Sequence, residues 1–277
     1  MYRFRRLDIN VAYACNLACK GCISLSDFDR RGVEPLQDLK IQCETWSKLI
    51  DPSIISIFGG EPLMHPHIEK VLNHIREAWP HAQIRFITNG YLLRKYDPEL
   101  WFKFGQLEMQ ISIHRQDHED IITKEIKRIV SRRKDWKTKR THSDGHRQLE
   151  LTNENLVIYK SKFGRFVMPY KLENGELTPF NSDPAKAHAI CGNPNVPILY
   201  KNKLYKCAPI TYLPFALKRT NQLNEPWWKK YLEYTPASLY NENELDEFFT
   251  VQRQPEQICS MCPSKKFWVQ KIDRSQL

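Results

Sequence analysis

An alternation of strands and helices is the feature that most constrains the fold of this chain. Short apolar runs alternate four times with segments whose apolar residues recur at helical spacing, a pattern typical of parallel βα units. The predicted strands cover residues 7–14, 54–58, 83–88 and 107–113, and the predicted helices that follow them cover 36–50, 68–75, 91–104 and 122–130. Because the carboxyl ends of such strands share one rim, polar motifs at these ends are predicted to converge there.

The second half of the chain departs from this alternation. Residues 149–159 and 163–170 are predicted as two more strands, which brings the count to about six. Beyond residue 184 the content of Pro, Trp and Tyr rises, with a predicted hairpin over 196–208 that turns at 201–203 and a predicted helix over 242–252. We therefore predict a first domain at residues 1–183 and a smaller domain at residues 184–277.

Composition narrows the class of protein. The 277 residues are 41% apolar, and they contain no run of 18 apolar residues, so no membrane span is expected. The charged N-terminus precedes no apolar signal segment, which predicts a cytoplasmic protein. In that compartment, eight cysteines are more typical of metal sites or catalysis than of disulfides. Cys43 lies on the apolar face of a predicted helix and is predicted to be a buried thiol.

The net charge of +10 is concentrated in one segment. Residues 124–147 hold ten Lys and Arg residues against three acidic ones. Such a segment could neutralise nucleic-acid phosphates. Its only aromatic residue is Trp136, so support for base stacking is thin. The solvated outer face of the fourth predicted helix, with the loop after it, is the simpler interpretation.

Three cysteines follow the first predicted strand at the spacing C-x3-C-x2-C: Cys15, Cys19 and Cys22. Three thiolates on one short loop can hold three irons of a cubane iron–sulfur cluster and leave the fourth iron open to a small molecule. The same loop could instead be part of a zinc site. The polar loop after Cys22 is predicted to be mobile and close to whatever the cluster binds.

Two more motifs stand at predicted strand ends. Gly59-Gly60-Glu61-Pro62 follows the second strand, and Thr88-Asn89-Gly90 follows the third. Taken alone, each is most simply a turn, with Glu61 solvated. Both lie at the ends where the predicted fold gathers functional groups.

The cysteine loop and Gly-Gly-Glu-Pro, supported by Thr-Asn-Gly, resemble the motifs of radical S-adenosylmethionine (SAM) enzymes over roughly residues 7–170. The resemblance implies a partial (β/α)6 TIM-like barrel and a [4Fe–4S] cluster whose open iron takes the amino and carboxylate groups of SAM. It also implies a set of SAM-binding residues at the strand ends: Gly59, Gly60, Glu61, Pro62, Asn89 and Ser112. Glu61 could accept a hydrogen bond from the SAM ammonium, and the two glycines could let the backbone approach the ligand.

One departure from the family pattern concerns the adenine. The residue before the third cysteine is commonly aromatic in this family, whereas here it is Gly21. The adenine contact must therefore come from elsewhere, such as Ile23 or the loop beyond it.

Four C-terminal cysteines resemble the "twitch" extension of some of these enzymes: Cys191, Cys207, Cys259 and Cys262. Four thiolates would fully ligate a second, auxiliary [4Fe–4S] cluster. A zinc site with four cysteine ligands is the alternative, and the sequence pattern does not distinguish iron from zinc. The predicted fold class is thus α/β, a partial barrel with a small cysteine-ligated twitch domain.

The resemblance also implies a mechanism. An electron from the first cluster would cleave SAM to methionine and a 5′-deoxyadenosyl radical, which takes a hydrogen atom from the substrate. A second cluster suits an oxidation, because it can accept an electron. We predict a small polar substrate (a sugar, polyol or nucleotide) and an external reductant such as flavodoxin or ferredoxin. Candidate substrate residues lie on or after the later strands: His114, Arg115, Asp117, His118, Arg165 and Tyr170.

Three alternatives stay open at this point. The substrate could be a ribosomally made peptide that is crosslinked or epimerised, or a nucleotide within a nucleic acid. A two-site zinc protein that binds nucleic acid is the non-enzymatic alternative. It explains seven cysteines and the basic segment, but it explains neither Gly-Gly-Glu-Pro at a strand end nor the repeated βα pattern.

Overall fold

The computed structural model describes residues 1–114, 116–139, 147–162, 165–173, 176–239, 241–265 and 268–270. It divides into two compact units. The first comprises Met1–Arg5, Ile9–Ala14 and Gly32–Gly164, and the second comprises Arg6–Asp8, Cys15–Arg31 and Arg165–Leu277.

The first unit is a sheet with helices between its strands. Its elements in chain order are β1 (Tyr2–Ala12), α1 (Leu36–Trp46), β2 (Ile50–Gly59), α2 (Ile68–Ala78), β3 (Gln83–Thr88), β4 (Leu107–Ile113), α3 (Glu119–Val130), β5 (Lys137–Lys139), β6 (Arg147–Thr152) and β7 (Leu156–Lys162). The strands lie in the order β1-β2-β3-β4-β7-β6-β5. The pairs β2–β3, β3–β4 and β4–β7 are parallel, whereas β6 is antiparallel to both β5 and β7. The predicted α/β class and its parallel βα pattern are confirmed, in a sheet whose strand order is open.

Two segments differ from the prediction. Residues 149–159 are not one strand: they comprise the end of β6, a turn at 153–155 and the start of β7. The Asn153 side chain shapes this turn, because it accepts hydrogen bonds from the backbone N–H groups of Asn155 and Leu156. Residues 91–104 form two short 3-10 helices, Leu93–Lys95 and Pro98–Phe102, in place of an α-helix. A residue before proline is disfavoured from helical backbone, and Asp97 is extended.

Apolar faces of the helices form the core of the first unit. Leu39, Cys43 and Trp46 of α1 are fully buried, as are Val71 and Ile75 of α2. Burial raises the pKa of the Cys43 thiol to about 12. The prediction that Cys43 is a buried core thiol is confirmed.

The second unit is made of short elements. They are β8 (Arg165–Val167), β9 (Lys171–Glu173), β10 (Glu176–Thr178), α4 (Pro184–Ala189), β11 (Ile198–Tyr200), β12 (Lys203–Tyr205), α5 (Ala208–Arg219), α6 (Lys229–Leu232), β13 (Ala237–Ser238), α7 (Glu242–Val251) and β14 (Trp268–Gln270). The predicted hairpin is confirmed as β11–β12, with Lys201 and Asn202 in its turn at φ 48° and 60°. Asp183, where the sequence predicts a domain boundary, caps the N-terminus of α4 inside this unit.

Among the residues that the structure describes, no helix combines the length and the apolar character needed to cross a membrane.

Candidate functional site

The Gly-Gly-Glu-Pro loop at the end of β2 is clamped against the end of β1. The Gly60 N–H donates to the Ala12 carbonyl oxygen (2.8 Å), and the Glu61 N–H donates to the Ala14 carbonyl oxygen (2.9 Å). A Cβ on Gly59 would collide with the Ala12 carbonyl oxygen and lie 2.7 Å from Asn10 Oδ1. The sequence suggests that Gly59 lets the backbone approach a ligand. In the structure, the group that demands a glycine is the backbone of β1.

Glu61 joins the ends of β2 and β3. Its fully buried carboxylate accepts three hydrogen bonds: from the Leu63 N–H (3.0 Å) and Thr88 Oγ1 (2.6 Å) on Oε1, and from the Asn89 N–H (2.7 Å) on Oε2. Burial raises its pKa from 4.5 to about 7, and the three hydrogen bonds oppose that rise. All three donors belong to the protein, so Glu61 is not the solvated residue of an ordinary turn.

The Thr88-Asn89-Gly90 turn is shaped by its own side chains. Thr88 Oγ1 accepts from the Gly90 N–H (2.9 Å), and Asn89 Oδ1 accepts from the Tyr91 N–H (3.1 Å). Gly90 has φ 81°, and a Cβ there would lie 2.8 Å from Ile111 Cγ2 on β4. The turn therefore requires glycine both for its left-handed backbone and for its packing.

Ser112 and the histidines after it lie at the same end of the sheet. Ser112 is buried on β4, paired in register with Ser161 of β7. Beyond β4, the His118 ring packs edge-on against the Tyr91 ring with centroids 4.1 Å apart, and His118 Nε2 lies 3.4 Å from Asp117 Oδ2. The structure thus brings the β3 and β4 ends together, as the shared rim of parallel strands predicts.

The remaining predicted substrate residues are distributed differently. Arg115 lies outside the described residues, as does the side chain of Arg165, whose backbone is in β8. His114 follows β4 in the first unit. Tyr170 belongs to the second unit and is buried, and its hydroxyl donates to Asp27 Oδ2 (3.2 Å). Its hydroxyl therefore holds the loop after Cys22.

The cysteine triplet occupies a tight loop of the second unit. The Cys22 N–H donates to the Cys19 carbonyl oxygen (3.2 Å), and the Leu17 N–H points at Cys15 Sγ (3.4 Å). Gly21, between Cys19 and Cys22, has φ 76°. This is a left-handed conformation, which residues with a side chain adopt only at an energetic cost. A glycine at position 21 adopts this backbone without the strain that a side chain would bring. Burial raises the pKa of the Cys22 thiol, and the charge of Asp27 adds to the rise.

The polar loop after Cys22 is packed rather than open to solvent. Arg30 is buried; it donates to the Ser24 carbonyl oxygen (2.7 Å), and its guanidinium lies over the Tyr212 ring of α5 at 3.9 Å. Asp29 pairs with Arg219 at the other end of α5 (2.8 Å). The sequence predicts a mobile loop because its residues are polar. In the structure these polar groups find protein partners within the second unit.

The four C-terminal cysteines line one cavity of the second unit: Cys191, Cys207, Cys259 and Cys262. Cys191 follows α4, and Cys207 is the N-cap of α5. Cys259 lies within the 3-10 helix Gln257–Met261, and Cys262 is the C-cap of that helix. Ser182 holds that helix in place, because its N–H donates to the Ser260 carbonyl oxygen (2.9 Å) and its hydroxyl to that of Cys262 (2.6 Å). The fold thus brings together side chains that are up to 71 positions apart in the sequence (191 to 262).

Burial raises the pKa of all four thiols, that of Cys207 to about 12 and that of Cys262 well above the ordinary value. Such thiols are protonated at neutral pH, whereas a coordinated thiol is deprotonated by its metal. Within the part of the chain that the structure describes, no three His, Cys, Asp or Glu side chains converge closely enough to hold a single metal ion. The four thiols surround a space instead. A cubane cluster needs such a space, because each thiolate binds a different iron, so the donor set fits a [4Fe–4S] cluster.

Lys206 is a residue of this cavity that the sequence does not reveal. Its side chain is 3% exposed, and its ammonium lies 2.6 Å from Glu256 Oε1. A lysine next to a hairpin strand is usually solvated. In the sequence, the only signal of its role is its position next to Cys207.

Comparison with known proteins relates the chain to one superfamily. Residues 9–140 match the model of the radical SAM superfamily. The chain is 31% identical over 100 residues to a GTP 3′,8-cyclase of Peptoclostridium acidaminophilum and 27% identical over 101 residues to that of Nautilia profundicola. These matches cover 35% of this chain and 31% and 32% of the relatives. The chain thus spans about a third of the length of the curated relatives it matches.

Solved structures with a likeness to the chain include BtrN in an open conformation, at 15% identity and a TM-score of 0.49, over 94% of this chain and 92% of BtrN. Streptococcus suis SuiB bound to S-adenosylmethionine is 24% identical over 41% of this chain and 26% of SuiB, with a TM-score of 0.35. The family match covers the cysteine triplet and the motifs after β2 and β3. Residues 9–140 of this chain therefore match a radical SAM domain.

Proposed function

We propose that this chain is a radical SAM enzyme with two iron–sulfur clusters that oxidises a small polar substrate. The observation that carries the proposal is the family match over residues 9–140, which includes both Cys15, Cys19 and Cys22 and the Gly-Gly-Glu-Pro loop. The family implies a [4Fe–4S] cluster and SAM. When bound, the cluster would supply the electron that splits SAM into methionine and a 5′-deoxyadenosyl radical.

The residues of this chain have separate tasks in that scheme. Cys15, Cys19 and Cys22 would hold the first cluster, and the Leu17 N–H pointing at Cys15 Sγ would stabilise its thiolate. Glu61 fixes the loop after β2 and the turn after β3 in one arrangement. Rim groups for SAM would come from this arrangement, together with Asn89 and Ser112. Holding them rigid lowers the ordering cost of binding.

The second cluster is supported by the cavity that Cys191, Cys207, Cys259 and Cys262 line. All four thiols would be ligands, so this cluster would have no open iron for SAM. It would accept an electron from the substrate, which makes an oxidation the reaction class that we favour. The family match argues against the zinc alternative for the first site. At the second site the alternative is a zinc ion bound by the same four thiolates, and iron and sulfide analysis distinguishes the two.

For the substrate we propose a nucleotide or another phosphorylated or hydroxylated small molecule. The curated relatives carry a name that specifies GTP, a nucleotide. The candidate contacts in the first unit are His114, Asp117 and His118, at the β4 end. A peptide, or a nucleotide within a nucleic acid, remains the alternative substrate.

An anaerobic SAM-cleavage assay tests the proposal. Reconstituted protein, given SAM and dithionite, is expected to form 5′-deoxyadenosine, detected by mass spectrometry. Replacement of Cys15, Cys19 and Cys22 together by alanine is expected to abolish it, whereas Cys43→Ala is expected to leave it unchanged. The same product from the triple variant would overturn the proposal.

A deuterium-transfer screen addresses the substrate. Deuterated nucleotides, sugars, polyols and peptides are each incubated with the holoenzyme and SAM. Label in 5′-deoxyadenosine identifies the class whose hydrogen is taken. Label from peptides alone would contradict the small-molecule proposal.

A further inference from the structure

Lys206 is a buried cation whose partners all lie in one later segment. Its Nζ donates to the carbonyl oxygens of Gln252 (2.9 Å) and Gln254 (2.8 Å), lies 3.5 Å from that of Val251, and pairs with Glu256 at 2.6 Å. Burial of an ammonium is costly unless it is paired and hydrogen-bonded. Here three carbonyl oxygens and one carboxylate oxygen surround the Lys206 ammonium and offset that cost.

The segment that Lys206 holds leads directly to two of the cavity cysteines. Residues 251–256 precede the 3-10 helix that carries Cys259 and Cys262, and the Cys259 N–H donates to the Glu256 carbonyl oxygen (2.9 Å). Lys206 itself is followed by Cys207. One side chain therefore ties together the two parts of the chain that carry three of the four thiols.

Lys206 is also a charge at the cavity. It lines the same space as the four cysteines. Lys206 directly precedes Cys207 in the chain. Its partner Glu256 accepts the Cys259 N–H on its backbone carbonyl oxygen (2.9 Å). Both charged side chains therefore belong to residues that adjoin the proposed ligands.

A cluster gains one negative charge when it is reduced. A buried cation nearby stabilises the reduced state more than the oxidised one, because Coulomb interactions are strong where water is excluded. Net charge around a cluster is one of the factors that set its reduction potential. Removal of Lys206 and removal of Glu256 should therefore shift that potential in opposite directions.

We propose that Lys206 is a positioning residue of the second cluster site, which holds residues 251–256 for ligation by Cys259 and Cys262 and raises the reduction potential of the cluster there. The inference rests on the second cluster of the proposed function. A higher potential would make the cluster a better electron acceptor, which suits the proposed oxidation.

The test is a redox titration of the 277-residue chain in which Cys15, Cys19 and Cys22 are replaced by alanine, so that the signal comes from the second cluster alone. Dithionite supplies one electron per cluster, and electron paramagnetic resonance (EPR) reports the reduced fraction. We expect Lys206→Met to lower the potential and Glu256→Gln to raise it. Lys206→Arg should keep the potential close to that of the parent. Lys203→Met, at an exposed lysine of β12, is the matched control and should change neither potential nor iron content.

Potentials that stay at the parent value in both variants, or that move in the same direction, would overturn the inference. If Lys206→Met no longer binds iron, the positioning role is supported, and Glu256→Gln alone decides the electrostatic role. A parent protein that binds no iron would instead show that the second cluster of the proposed function is wrong, and the inference would fall with it. Iron and sulfide analysis before each titration separates these outcomes.

Discussion

The buried Glu61 carboxylate accepts hydrogen bonds from the backbone N–H groups of Leu63 and Asn89 and from the Thr88 hydroxyl. All of these residues are buried. Glu61→Ala would leave these donors unsatisfied and open a cavity. We expect it to lower the free energy of unfolding by about 2–4 kcal/mol, measured by equilibrium denaturation of the reduced protein without clusters. Glu154→Ala, at an exposed carboxylate in the β6–β7 turn, should cost less than about 0.5 kcal/mol. Equal losses in the two variants would argue against the buried hydrogen-bond network.

The raised pKa of Glu61 predicts a dependence of stability on pH. Its pKa rises from 4.5 to about 7 on folding, so the folded protein keeps a proton that the unfolded chain has released. The contribution to the free energy of unfolding is therefore largest below pH 4.5 and is lost as the pH rises through about 7. Glu61→Gln does not titrate, so its stability should fall less steeply across this range. Parallel curves for the two proteins would contradict the assignment.

Single residues show where sequence reasoning reaches its limit. The spacing of the seven clustered cysteines identifies them as candidate metal ligands, because ligand sets repeat in recognisable patterns. The burial of Glu61 and Lys206 does not, because both residue types are usually exposed and their partners are distant in sequence. The sequence shows glycines at positions 21 and 59, but only the structure shows why each position requires one. Gly21 has a left-handed backbone, and Gly59 lies directly against β1.

At the scale of elements, Arg30 fixes the loop after Cys22 to helix α5. It donates to the Ser24 carbonyl oxygen and stacks on Tyr212. Arg30→Met removes both interactions and leaves the Ser24 carbonyl without this donor, so we expect a loss of roughly 1–3 kcal/mol in the free energy of unfolding. Arg31→Met is the matched control, because the Arg31 side chain is 83% exposed and its pairing with Asp29 is a surface one. A cost for Arg31→Met as large as that for Arg30→Met would contradict the assignment.

The contact between the β2 loop and β1 gives a second test at this scale. An alanine at position 59 must displace the Ala12 carbonyl oxygen or the loop itself. Gly105 also has a positive φ (54°), but a Cβ there meets nothing within 4 Å. Gly105→Ala therefore measures the backbone cost alone, about 1–2 kcal/mol, and Gly59→Ala should cost more, as measured by thermal or chemical unfolding. A smaller loss for Gly59→Ala would show that the loop can move away from β1.

Element bounds were predictable where the pattern is strong. The bounds of β3 and β4 agree with the predicted 83–88 and 107–113, because apolar residues alternate with polar ones along both strands and glycine-containing turns stand beside them. The prediction of one helix over 91–104 was wrong, although Pro98 marks the interruption in the sequence. The 149–159 strand was wrong because Asn153 turns the chain. The loop after Cys22 was predicted to be mobile because its residues are polar. That prediction was wrong, because Arg30 and Asp29 of the loop contact Tyr212 and Arg219 of α5.

For the whole molecule, the proposed function predicts two clusters with different tasks. The reconstituted chain should bind about eight irons, and replacement of Cys207 and Cys259 by alanine should leave about four. SAM cleavage should survive in that variant, because the first cluster is intact, while oxidation of the substrate should be lost. Cys43→Ala should keep the full iron content, because the Cys43 thiol is enclosed in the core of the first unit. Iron analysis checks each variant, and an unchanged count after loss of Cys207 and Cys259 would contradict the second site.

The most direct test of the central claim is the EPR spectrum of the reduced holoenzyme with and without SAM. A first cluster with an iron that lacks a protein ligand binds SAM directly, so its spectrum should change when SAM is added. The change should be absent in the chain that lacks Cys15, Cys19 and Cys22. Identical spectra with and without SAM in the intact enzyme would contradict an open iron at this cluster.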